Sequence, residues 1–89
     1  MSLEVRFTEA ARWQLRTSIE RLRRTNSEGA RGFLDRVEAL LRDPQTLREA
    51  GQPIIEFPQL PTREVRIEET RIFFRDDGST LWISGVWRT

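Results

Sequence analysis

Residues 63–88 constrain the fold more than any other part of the chain, because they spell out three short strands joined by tight turns. Val65 and Ile67 alternate with Glu64, Arg66 and Glu68, the period of a half-buried strand. Ile72 to Phe74 form an apolar run flanked by Arg71 and Arg75. Asp76-Asp77-Gly78-Ser79 reads as a turn, since glycine accepts the positive φ such turns need. Leu81 to Trp87 then form a third, apolar strand. Strands joined this closely pair antiparallel. Arg63, Arg66, Arg71, Arg75 and Arg88 all lie within or beside this small sheet. Arginine is the side chain best suited to gripping carboxylates or phosphates, because its planar fork donates paired hydrogen bonds. Strict alternation predicts that Trp82 and Trp87, an odd number of positions apart, face opposite sides of the sheet.

The first half of the chain supplies the cover. Leu3, Val5 and Phe7 alternate with Glu4 and Arg6, which predicts a strand over Glu4 to Phe7. Thr8 offers an N-cap and Glu9 a favourable first-turn charge for a helix running to Arg24. Its apolar stripe is Ala11, Leu15, Ile19 and Leu22, and Trp13 falls off that stripe, at a packing margin or a partner contact. Asn26 or Ser27 caps a second helix with a fuller stripe of Ala30, Phe33, Leu34, Val37, Leu40 and Leu41. Asp43-Pro44 ends it. The short separation predicts an antiparallel helical hairpin. Residues 45–61 are read as extended or turn backbone, with Pro44, Pro53, Pro58 and Pro61 in or beside them. Within that segment Ile54, Ile55 and Phe57 need cover from the sheet edge or the helices. The expected order is β-α-α-β-β-β: an α+β fold with a small antiparallel β-sheet, an N-terminal strand and a two-helix hairpin packed on one face.

Composition narrows the chemistry. A length of 89 residues predicts a single domain spanning 1–89. A hydrophobic fraction of 37 % beside a charged fraction of 33 % fits a globular chain rather than a disordered one. The chain enters a strand directly after Met1-Ser2-Leu3, so no secretory signal is expected, and no apolar run approaches the ~18 residues of a membrane span. The expected location is the cytoplasm, with no membrane partner. All 15 basic residues are arginine, set against 14 acids for a net charge of +1, which argues against a uniform cationic field for duplex DNA. A plain preference for arginine over lysine at the surface accounts for most of them. The chain contains no His, Cys, Lys or Tyr. That removes most side chains that move protons near neutral pH and most covalent nucleophiles. It also removes the imidazole and thiolate ligands of a zinc site. No glycine-rich phosphate loop occurs, and neither a cofactor nor a metal is expected.

Taken in order, these segments make the chain resemble the RelE/ParE toxin superfamily of bacterial type II toxin–antitoxin systems. Val5 to Leu15 resembles the family's first strand entering its first helix, and Gly29 to Pro44 resembles its second helix. The most specific element is Arg66 to Arg75, RIEETRIFFR, while Leu81 to Arg88 resembles the last strand. Thr70 stands where the family usually has tyrosine, and Trp87 falls about where many relatives have histidine. The chain also lacks the longer basic and aromatic tail of the ribosome-dependent nucleases. The resemblance implies a cognate antitoxin as partner, and one of two targets. A RelE-like member would cut mRNA on the ribosome, with Arg66, Arg71 and Arg88 as its basic residues. A ParE-like member would poison DNA gyrase without making or breaking a bond. The missing proton carriers favour the ParE-like branch and a non-enzymatic role. A degenerate relative that keeps only protein binding is the third reading.

Each candidate residue carries a structural alternative. Arg71 is the foremost candidate for target binding, or else the cross-strand partner of an acid such as Glu64 or Glu68. Arg66 and Arg75 flank acids that can neutralise them, Arg63 is weaker, and Arg88 sits near the end of a strand. Trp87 either stacks on a base or anchors a protein partner, or it is an edge aromatic. The last strand offers an edge on which an antitoxin can dock.

Overall fold

A computed structural model describes residues 2–88. The elements are β1 (Glu4–Phe7), α1 (Glu9–Thr25), α2 (Ser27–Arg42), α3 (Pro44–Ala50), β2 (Gln52–Pro53), β3 (Arg63–Ile67), β4 (Thr70–Asp76) and β5 (Thr80–Arg88). They build an α+β fold around a five-stranded sheet of order β1-β5-β4-β3-β2. The three C-terminal strands pair antiparallel, as their turns require. The sheet as a whole is mixed, because β1 pairs with β5 in parallel. A parallel neighbour needs a long crossover, and the helices supply it.

The helices start and stop where their caps say. The Thr8 hydroxyl accepts from the Ala11 N–H at 3.1 Å. Asn26 closes one helix and opens the next: its N–H donates to the Leu22 carbonyl at 2.7 Å, and its Oδ1 accepts from the Gly29 N–H at 2.9 Å. One residue doing both jobs holds the hairpin tight. Asp43-Pro44 ends α2 as expected, but it also begins α3, a helix where extended or turn backbone was expected. Proline suits the first turn of a helix, where its missing N–H is not needed. The Asp43 carboxylate accepts from the Thr46 N–H and hydroxyl, at 3.4 and 2.7 Å. Leu47 of this helix is fully buried, which fixes α3 on the sheet.

The core lies between the sheet and the helices. Ala11, Phe33, Val37 and Leu47 pack against Val65, Ile67, Ile72, Phe74, Leu81, Ile83 and Val86. Leu15, Ile19, Leu22, Leu40 and Leu41 of the two predicted stripes close the margins. Gly51 lets the end of α3 approach the sheet: a Cβ there would stand 2.4 Å from the Phe74 ring. Arg48 clasps the same helix to the β4–β5 turn, donating to Asp76 at 2.6 and 3.0 Å and to the Gly78 carbonyl at 3.2 Å. No helix among the described residues is long and apolar enough to cross a membrane.

Candidate functional site

The sheet face turned away from the helices gathers the charged residues. Register sets Arg6 beside Trp82 and Trp82 beside Arg75. Phe73 lies between Gly85 and Glu64, and Arg71 lies between Trp87 and Arg66. The two tryptophans share this face, contrary to the expectation from strict alternation. The cause is a β-bulge: Phe73 pairs with Gly85 while Phe74 pairs with Ile83, so Ser84 is an extra residue on β5. The bulge lets Leu81, Ile83 and Val86 all reach the core and turns Trp82 and Trp87 the same way. Trp87 is 62 % exposed.

Of the six candidate residues, Arg66, Arg71, Arg75 and Trp87 meet on this face. Arg63 and Arg88 do not. Arg63 is registered with Phe74, on the core side, and donates to the Gly51 carbonyl at 3.3 Å. Arg88 is registered with Thr70, also on the core side. Arg6 joins the face from β1, which local sequence could not foretell because it depends on β1 lying beside β5.

Arg71 is the centre of the face. Its Nε donates to Glu64 Oε2 at 3.1 Å, and its Nη2 bonds the same oxygen. Its two terminal nitrogens also grip Glu56 as a fork, at 2.9 and 2.7 Å. Arg66 Nε reaches the other Glu64 oxygen at 3.3 Å. The Arg71 guanidinium carbon stands 5.0 Å from the Phe73 ring centroid, within reach of a cation–π contact. Glu64 is one of the two acids named from the sequence; the other, Glu68, pairs with Arg36. Glu56 comes from the segment between β2 and β3, and no local pattern marked it. Arg71 and Glu64 side chains are only 12 % and 5 % exposed, whereas Glu56 is 52 % exposed.

Electrostatics follow from the contacts. The Arg71 hydrogen bonds hold Glu56 down at about 2, and they keep Glu64 below the usual carboxylate range. The same bonds raise Arg71 further above its already high value. Glu4 pairs with Arg6 at 3.2 Å. Arg75 is exposed and has no carboxylate partner among the described residues. Among the described residues the face therefore offers Arg75 without a carboxylate partner, Arg6 and Arg66, which are 61 % and 56 % exposed and bound through Nε alone, and an exposed tryptophan. Such a surface can bind carboxylates, phosphates or an apolar anchor.

Comparison with known proteins agrees with this architecture. The model of the family described as the ParE toxin of the type II toxin–antitoxin system parDE matches residues 5–89. No curated protein matches the chain. Among solved structures, a chromosomal ParDE toxin–antitoxin system from P. aeruginosa is similar with a TM-score of 0.70 and 18 % identity, over 98 % of this chain and 96 % of that one. The RelBE2 toxin–antitoxin complex from Mycobacterium tuberculosis is similar with a TM-score of 0.60 and 24 % identity, over the whole of both chains. At these identities the two structures speak for the fold alone.

Proposed function

Because the chain belongs to the ParE toxin family of type II toxin–antitoxin systems, we propose that it acts as a single toxin domain that arrests growth by binding DNA gyrase and is neutralised by a cognate antitoxin. The observation that carries the binding mode is the state of the carboxylates on the outer face. Glu4, Glu56 and Glu64 are each held by an arginine. Glu56 and Glu64 are thereby pushed away from the neutral range in which a general base works best. With no His, Tyr, Lys or Cys in the chain, the surface grips rather than cuts. The antitoxin half of the reading draws on the two structural neighbours, both of which are toxin–antitoxin assemblies.

Induced expression tests this in cells when DNA damage and translation are scored separately. The expected outcome is growth arrest with a DNA-damage response while protein synthesis continues. Rapid arrest of translation, with transcripts cut within codons on ribosomes, would instead establish a nuclease. Harmless expression would leave only a binding module.

A further inference from the structure

Residues 54–62 join β2 to β3 without forming a strand or a helix. Ile54 is buried at the root of this segment, and residues 55–61 are all exposed. Two turns shape it: the Phe57 N–H donates to the Ile54 carbonyl and the Leu60 N–H to the Phe57 carbonyl, each at 3.1 Å. Its reach onto the outer face is through Glu56, whose two oxygens sit in the Arg71 fork. The bulky neighbours of that acid stay in solvent, with Ile55 77 % and Phe57 54 % exposed. Charge marks Glu56 as the exchangeable member of the cluster. Arg71 and Arg66 share Glu64, which is buried and fixed within β3. Two guanidinium groups against that one carboxylate leave an excess of one positive charge, which Glu56 cancels. Glu56 is half in solvent, where a competing acid can reach it. A second carboxylate entering the same fork makes the same charge-assisted bonds, so the exchange is close to balance. A segment with few buried side chains and exposed backbone hydrogen bonds is also the kind that opens locally.

We propose that Glu56 is a built-in substitute for an acidic side chain of a partner protein, and that residues 54–60 form a latch which keeps Arg71 occupied until that acid displaces it. In the closed state Arg71 has no free fork to offer, because Glu64 takes one side of it and Glu56 the other. With the latch open, the terminal nitrogens of Arg71 face outward beside the exposed Arg66 and the exposed Trp87, its neighbour in register. That arrangement suits an Asp or Glu flanked by apolar residues, which is the chemistry of Ile55-Glu56-Phe57 itself. The latch holds affinity down, since a partner binds only the fraction of molecules in which Arg71 is uncovered. That the partner is the growth-arrest target rests on the toxin reading above; the latch itself does not.

The probe is a synthetic peptide with the sequence of residues 52–60, QPIIEFPQL, titrated into the purified full chain. The Arg71 side-chain Nε–H resonance in nitrogen-15 spectra reads its binding. Glu56→Gln keeps the shape of the latch residue and removes its charge, and it should tighten peptide binding about tenfold or more. Glu38→Gln makes the same change of net charge at an exposed position of α2 and should leave affinity where it was. A peptide with Gln in place of its Glu should bind neither chain. The Phe57 amide should exchange with deuterium faster than the amide of Ile72 in β4, and faster still in Glu56→Gln. Peptide affinity indifferent to Glu56→Gln, a Gln peptide that binds as well as the Glu peptide, or a Phe57 amide as protected as that of Ile72 would overturn the proposal. Gyrase supercoiling is titrated with the same chains in parallel. Inhibition of supercoiling with no gain in peptide affinity removes the latch and spares the toxin reading. Tighter peptide binding by Glu56→Gln with supercoiling untouched does the reverse.

Discussion

Arg71 and Arg75 lie four positions apart on one strand yet do different work. Arg71 neutralises Glu64, a carboxylate only 5 % exposed, whereas Arg75 has no acidic partner among the described residues. Removing Arg71 leaves the buried Glu64 carboxylate to Arg66 alone, at 3.3 Å, which is unfavourable. We expect Arg71→Ala to lower the melting temperature by several degrees and Arg71→Ala/Glu64→Gln to recover part of the loss, measured by thermal melts in a double-mutant cycle. Arg75→Ala should leave the melt unchanged while weakening target inhibition. The pH dependence has a definite sign. Glu56 titrates at about 2 in the fold against an ordinary 4.5, so its contribution is fully present above the ordinary value and is lost as pH falls from there towards 2. Melting temperature should therefore decline over that window, and Glu56→Gln should flatten the decline. Thr70 gives a simpler case: its hydroxyl is buried without a hydrogen-bond partner among the described residues. Thr70→Val should raise stability by about 1 kcal/mol in urea unfolding.

At the scale of elements, the sequence was legible wherever the signal was local. Thr8 and Asn26 announced both long helices, the paired stripes identified their buried faces, and the antiparallel order of β3, β4 and β5 followed from short turns. What escaped was non-local or double-valued. Asp43-Pro44 reads equally as a stop and a start, so α3 was hidden. The bulge at Ser84 depends on how β5 meets β4, so the shared face of Trp82 and Trp87 was hidden too. For the candidate site, Arg71 and Arg75 share a face by strand parity and Arg66 joins them across a short turn, but the side taken by Trp87 depends on the bulge, and the Glu56 partner arrives from a loop fifteen positions away in sequence. Two substitutions test the element boundaries. Asn26→Ala should cost about 1 kcal/mol by removing the cap between α1 and α2. Gly51→Ala should cost roughly 1–3 kcal/mol, because the added methyl meets the Phe74 ring and α3 must shift. Denaturant unfolding reads both.

On the scale of the whole molecule, the helices bury one face of the sheet and leave the other to the arginines. The buried face carries the apolar core, and the open face carries the Arg71–Glu64 cluster. On the proposed reading, the guanidinium groups and the exposed Trp87 are what a large protein target would meet. The most direct test is a plasmid supercoiling reaction with purified gyrase, titrated with the purified chain beside programmed ribosomes. We predict that supercoiling is inhibited in proportion to added protein while ribosome-bound transcripts stay intact. Undiminished supercoiling with brisk cleavage of those transcripts would contradict the account.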